Sequence, residues 1–253
     1  DEPVIPLPGP GEGGPVYPGG DIAEPVIPLP GPGEGGPVYP GGGVIIQPVP
    51  QPGRSRTRFL NAAFGYPALR IRVGNSRFVS RLGYASVTGY GRVPAGYQTV
   101  TVTGSNGCVY VRKQMPFQTN DLTTIAVIRT ASGLDLLQIS DSCCPSSGRM
   151  SSFRVGNLAY NSGPLDVLMS DGRVIYSDLR YKETAAFRSI MPGTYRFFYA
   201  DTGLTSMPPA LGIETLDPAW LDIYPPYETF GSLRLDVSGG KIYTVYLLQN
   251  GSG

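Results

Sequence analysis

The side chains best equipped for chemistry are three cysteines, a run of arginines and scattered carboxylates; the 253 residues include no histidine. Without imidazole there is no Ser-His-Asp triad, no Cys-His pair and no histidine-ligated metal site. The thiols are Cys108 and the adjacent pair Cys143-Cys144, in the run Asp141-Ser-Cys-Cys-Pro-Ser-Ser-Gly148. Three thiols without histidine make a poor zinc site, and none has the base a nucleophilic cysteine needs. That leaves disulfide chemistry. A bridge from Cys108 to Cys143 or Cys144 leaves one thiol over, which in an oxidising compartment points to a bond between subunits. Three free buried thiols are the other reading.

The carboxylates carry less. Asp166 and Asp171 flank a predicted strand with Asp178 nearby, but Asp171-Gly172 reads as a hairpin turn rather than a calcium loop. Glu214, Asp217, Asp222 and Glu228 match no glycosidase motif. No Gly-Lys-Ser/Thr occurs, so there is no phosphate loop. The expectation is a protein that is not an enzyme and uses no metal or cofactor.

The arginines are more informative. Arg70 and Arg72 alternate with Leu69, Ile71 and Val73, which puts both on one solvent face. With Arg77, Arg81 and Arg92 they form a candidate face for an acidic partner. Tyr66, Tyr84, Tyr90, Tyr97 and Tyr110 could line a proline-binding groove beside it. The overall charge of +1 hides a split. Residues 1–53 hold six acids and no Lys or Arg; residues 54–147 hold eleven Lys/Arg against three acids; residues 148–253 hold nine against ten. An acidic tail thus precedes a basic stretch and a neutral one. Near-neutral total charge gives no general argument for nucleic acid, and no run of 18 apolar residues offers a membrane span.

Period-two alternation must position these side chains. Ala68–Gly74, Gln98–Thr103 and Cys108–Arg112 all alternate. Turn signals fall between such runs, at Gly74-Asn75, Pro94-Ala95-Gly96 and Ser105-Asn106-Gly107. That pattern predicts antiparallel β-sandwiches. The body then repeats itself. Arg58–Ala62 corresponds to Arg154–Leu158, with Asn61 matching Asn157. Leu69 matches Leu165, Tyr84 matches Tyr181, and Thr123–Thr130 matches Tyr243–Asn250. The expected fold is all-β: two tandem antiparallel, Ig-like sandwiches behind an extended, polyproline-II-like N-terminal tail. Its boundaries are a tail at 1–53, a first domain at 54–141, a cysteine-bearing linker at 142–148, and a second domain at 149–253. An insertion at 201–229 holds Trp220, the one tryptophan.

These runs carry a resemblance. RFLNAAFGYPALRIRV, SRLGYASVTGYGRVPAGYQTVTVTG and LTTIAVIRT, and again FRVGNLAYNSGPLDVLMSDGRVIYSDLRYKETAAFRSIMPGTYRFF, are similar to the bacterial domain-of-unknown-function family 4397. The resemblance spans about Arg56–Asn250. It implies tandem secreted or surface β-sandwich modules, and it brings no catalytic residues.

The tail is a tandem repeat. Glu2–Gly20 recurs letter for letter as Glu24–Gly42, and Pro48–Gly53 echoes part of it. Residues 1–53 contain 15 of the 26 prolines and 14 of the 35 glycines, which excludes helix and central strand there. The irregular glycine spacing excludes collagen. An extended strap remains. Its apolar side chains Val4, Ile5, Leu7 and Tyr17 recur as Val26, Ile27, Leu29 and Tyr39, followed by Val44 and Ile45. These are the candidate anchors. Each copy also carries Pro-x-x-Pro units that dock into aromatic grooves, while Gly43–Gln47 could add to an exposed sheet edge.

The start at Asp1, inside a repeat, is read as a processed secreted chain at the cell surface. The expectation is a structural subunit whose strap links copies head to tail into an extracellular filament or surface array. The alternative is a surface binding module for glycan or protein, with the tail as a stalk from the cell wall.

Overall fold

The computed structural model describes residues 53–143, 148–202, 215–216 and 228–249. The strap anchors Val4, Ile5, Leu7, Tyr17, Val26, Ile27, Leu29, Tyr39, Val44 and Ile45 lie outside the described residues, as do Cys144 and Trp220.

The alternating runs form strands because they bury one face and wet the other. In the first half these are β1 (Arg54–Asn61), β2 (Leu69–Val73), β3 (Ser76–Leu82), β4 (Gly91–Pro94), β5 (Gly96–Thr103), β6 (Val109–Phe117), β7 (Leu122–Thr130) and β8 (Gly133–Ser140). In the second they are β9 (Ser151–Asn157), β10 (Leu165–Met169), β11 (Val174–Leu179), β12 (Arg188–Ile190), β13 (Gly193–Asp201), β14 (Thr215–Leu216), β15 (Gly231–Val237) and β16 (Ile242–Leu247). Among the described residues there is no helix. The turn signals fall where expected, with Gly74 and Gly172 at the positive φ that their hairpins need.

Each half is a β-sandwich-like pair of sheets. The first half pairs the order β4-β1-β7-β8 with β3-β2-β5-β6; the second pairs β14-β12-β9-β16 with β11-β10-β13-β15. β1 runs parallel to β7 and β9 parallel to β16, in equivalent registers: Phe59 beside Ile125, Val155 beside Val245. Between the sheets of the first half lie Phe59, Leu69, Ile71, Val100, Val102, Ile125, Val127, Leu134 and Leu136. The second half substitutes aromatics. Phe153 stacks on Phe197 at 4.6 Å, and Tyr195 stacks on Phe197 at 5.8 Å. Each such side chain contributes roughly 1.5–3 kcal/mol on burial.

The matched asparagines explain a shared corner. Asn61 is buried at the end of β1, where its Nδ2 donates to the Leu82 carbonyl at 3.0 Å and its Oδ1 accepts the Ala63 N–H at 3.0 Å. Asn157 repeats this with Leu179 at 3.0 Å and Ala159 at 3.1 Å. One amide thereby ties the end of the first strand to the end of the third, using both of its polar ends.

One expectation is corrected. Asp166 does not flank a strand; it lies inside β10 and is buried. Its Oδ1 accepts the Asp178 N–H at 2.9 Å and the Thr202 hydroxyl at 2.6 Å. A buried carboxylate needs such donors, and they turn Asp166 to structural work.

Candidate assembly surfaces

The halves meet through the outer faces of β1–β7–β8 and β9–β16. Leu60, Ala62, Ala126, Ile128, Ile139 and Leu158 form one buried cluster, with Leu137, Tyr246 and Leu248 packed against it. Polar contacts around it come in matched pairs. The Tyr84 hydroxyl donates to the Gln249 carbonyl, and the Tyr181 hydroxyl donates to the Arg129 carbonyl, both at 2.5 Å. Phe64 packs edge-on against Tyr84 at 5.4 Å, and Tyr160 against Tyr181 at 5.8 Å. Arg58 Nε donates to Thr124 at 2.7 Å, and Arg154 Nε to Thr244 at 3.1 Å. Residue for residue, this is the self-complementary pattern of a two-fold interface, fixed within one chain. Burial pushes the Tyr84 phenol above its ordinary value. Burial first, then the Tyr160 and Asp135 charges, raise Tyr181 to about 12.

One group at the junction has no matched partner. Asp141, 4% exposed, follows β8. It pairs with Arg154 at 3.0 Å and Arg58 at 3.5 Å, and accepts from the Tyr90 hydroxyl at 2.8 Å and from Thr124. Burial, then Asp141 itself, raises the Tyr90 phenol far above its usual range. Two arginines, one from each half, thus share one carboxylate.

The candidate arginine face is split. Cross-strand partners set Arg77, Arg72, Thr101 and Arg112 in one row over β3, β2, β5 and β6. Arg70, next along β2 on the same face, stands opposite Thr103, and Arg81 is exposed further along β3. Among the described residues none of these arginines has a carboxylate within ion-pair distance. Arg92 does not belong to the set. It lies on β4, in the other sheet, where it is the register partner of Arg56. The short β4 crosses to pair with β1 and takes Arg92 with it. The sequence reading missed Arg112, which two cross-strand pairings bring into the row.

The tyrosines do not form one groove. Tyr66 and Tyr110 pack edge-on at 5.3 Å, Tyr84 and Tyr90 are at the junction, and Tyr97 is 72% exposed on β5.

An open edge appears instead in the second half. In the first, β8 pairs antiparallel with β7 and closes the sandwich. Lys113 Nζ donates to Asp135 at 2.8 Å and to the Leu136 carbonyl at 3.2 Å, and Gln138 donates to the Pro116 carbonyl at 3.0 Å, clasping β6 to β8. In the second half β16 ends its sheet, and among the described residues no strand occupies the place of β8. A groove of about 700 Å³ lies there, between Tyr199, Phe230 and Leu233 on one side and Val245 and Leu247 on the other. Gln249 Oε1, in its wall, is buried without a hydrogen-bond partner among the described residues.

The cysteines are kept apart. Cys108 is exposed just before β6 and forms no disulfide. Cys143 follows Ser142, whose hydroxyl donates to Asp121 at 3.1 Å, just beyond the far end of β6. The nine residues of β6 span about 30 Å. A disulfide needs Cα atoms within roughly 7 Å, so a Cys108–Cys143 bridge within one chain is overturned.

Residues 55–168 match the model of a family described as a domain of unknown function, DUF4397. The resemblance read from the motifs is therefore shown over that span. The DUF4397 match begins in β1 and ends in β10, taking in the whole first half and the opening of the second. No curated protein matches the chain. Among solved structures, the Bacillus anthracis TIE protein is similar at 10% identity and a TM-score of 0.24. The alignment covers 78% of this chain and 34% of that one, so the chain spans about a third of its length.

Proposed function

We propose that this chain is a secreted structural subunit rather than an enzyme. Two tandem Ig-like sandwiches form its body, and a polyproline-II-like strap links copies head to tail into an extracellular filament or array on the cell surface. Contact with the cell wall or its glycans would come at the ends of such an array.

The observation that carries this reading is the arginine row. Arg77, Arg72 and Arg112 lie across one sheet face without a carboxylate among the described residues, in a chain whose first 53 residues hold six acids and no cation. Unpaired charge of one sign on a flat face favours a partner of the other sign and speeds its approach. The exposed Cys108 adds a thiol able to cross-link neighbours.

Electron microscopy of the full chain beside a chain lacking residues 1–53 tests the reading. Filaments or sheets from the full chain alone are expected, thinning out as salt rises from 0.05 to 0.5 M and the Debye length shortens to a few ångströms (~4 Å). Dispersed monomers from the full chain at all concentrations would sink it.

A further inference from the structure

The open edge of β16 offers a more specific contact, and the first half supplies its template. β7 and β16 are equivalent strands in equivalent registers. Ile125 and Val127 on β7 are fully buried, with Leu134 and Leu136 of β8 beside them. Val245 and Leu247, at the same places on β16, are only half-buried and line the groove. β16 also bonds to β9 through alternate residues: Leu158 N–H donates to the Leu247 carbonyl and Ser152 N–H to the Lys241 carbonyl. The N–H and C=O groups of Thr244 and Tyr246 therefore point the other way, toward the vacancy. An edge whose outward backbone groups pair with no strand among the described residues, beside an apolar groove, is a receptor for one more strand.

The template states what that strand should be. β8 reads Gly-Leu-Asp-Leu-Leu-Gln-Ile-Ser, with Leu136 turned into the core and Leu137 packed on the junction cluster. The strap contains Gly43-Val-Ile-Ile-Gln47, in which Ile45-Ile46-Gln47 repeats Leu136-Leu137-Gln138 in size and polarity. Its β-branched residues favour strand, and Pro48 ends the run where a backbone donor would next be needed.

We propose that Gly43–Gln47 of a neighbouring copy adds antiparallel to β16, in the place that β8 takes beside β7 in the first half. Ile45 would stand opposite Leu247 and fill the groove; Gln47 would stand opposite Val245. This rests on the filament reading and names its contact. The neighbour is favoured over the same chain by Pro48, Pro50 and Pro52. Prolines at alternate positions favour an extended run over a fold-back between Gln47 and Arg54.

Disulfide trapping tests it. In a Cys108→Ser, Cys143→Ser, Cys144→Ser background, one chain carries Gln47→Cys and a second carries Val245→Cys. The template pair, Ile125 opposite Gln138, is a non-hydrogen-bonded pair with Cα atoms roughly 4.5 Å apart, within disulfide range. Mixing the two chains under oxidation should give a peptide linked between positions 47 and 245. Absence of that peptide while filaments still form means the strap docks elsewhere, which overturns the inference and leaves the filament reading standing. A double variant that links only within one chain overturns it in favour of a folded-back strand. On the unsubstituted full chain, hydrogen exchange in the peptide covering β16 should slow on the order of 100-fold on going from dilute to assembled protein. Unchanged exchange would count against strand addition without relying on any variant.

Discussion

Ile125 and Val127 are covered by β8 in the first half, while Val245 and Leu247 occupy the same places in the second and stay half-exposed. Around the junction most contacts are mirrored: two tyrosine–carbonyl bonds cross it, and two aromatic edges and two arginine–threonine bonds, one of each in either half, stand beside it. They differ at β8, which has no counterpart among the described residues of the second half. Duplication preserved the contacts around the junction, while among the described residues β16 ends its sheet. In a tandem repeat, the asymmetric position is the one to examine for outside contacts.

Asp141 is the strongest handle on that asymmetry, since it follows β8 and exists on one side only. Asp141→Ala removes the carboxylate shared by Arg58 and Arg154 and leaves Arg154, 7% exposed, as a buried unpaired cation. Breaking a buried pair from one side costs roughly 3–5 kcal/mol. The denaturant midpoint should fall accordingly, and both halves should unfold more readily. A loss below about 1 kcal/mol, the range of exposed pairs, would show that the junction does not depend on this ion pair.

The asparagines test the matched side of the comparison. Asn61→Ala and Asn157→Ala each strand a buried carbonyl and an amide N–H, at about 1–3 kcal/mol. Asn157→Ala should lose slightly more, because Asn157 Nδ2 also donates to the Ser162 hydroxyl at 3.0 Å. A smaller loss for Asn157→Ala in a denaturation curve would mean that its corner is looser than the one at Asn61.

Next in size are the junction tyrosines. Tyr84→Phe and Tyr181→Phe each delete one hydrogen bond between halves, at roughly 0.5–1.5 kcal/mol. Their pH behaviour has a definite sign. Both phenols titrate higher in the folded protein, Tyr181 at about 12, than their ordinary value of 10. The unfolded chain gives up these protons first, so their contribution is complete below pH 10 and is lost as pH rises through the folded value. Thermal scans from pH 9 to 12 should show stability falling, and the double Phe variant should fall less steeply. Parallel curves would remove the tyrosines as the cause.

Much of this was legible in the sequence. Alternation located β2, β5 and β6, and the pairing of Asn61 with Asn157 and Tyr84 with Tyr181 marked the duplicated corners. These were visible because one strand's periodicity, or one buried amide, is a local property. Arg92 was misplaced because its side of the molecule depends on which sheet β4 joins, a non-local choice. Arg112 was overlooked for the same reason: two cross-strand pairings carry it into the row. The reciprocal junction was hidden because Leu60, Ala126 and Ile128 look like inner-face residues until both faces of β1 and β7 prove to be covered. The groove was hidden too, because only setting β7 against β16 shows that among the described residues no strand stands where β8 does.

Cys108 should matter least to the fold and most to the covalent state of an assembly. Its backbone is held by the turn, with its N–H donating to Asn106 at 3.1 Å and its carbonyl accepting from Gly104 at 2.9 Å, while the residue itself is exposed. Serine keeps both backbone bonds, so Cys108→Ser should move stability by no more than about 0.5 kcal/mol. The separation along β6 rules out Cys143 of the same chain as its disulfide partner. If copies assemble head to tail under oxidising conditions, non-reducing electrophoresis of the unsubstituted chain should give a ladder that dithiothreitol collapses and that Cys108→Ser abolishes. A ladder that survives the substitution would move the cross-link to Cys143 or Cys144 and leave the exposed Cys108 thiol without a part in the assembly.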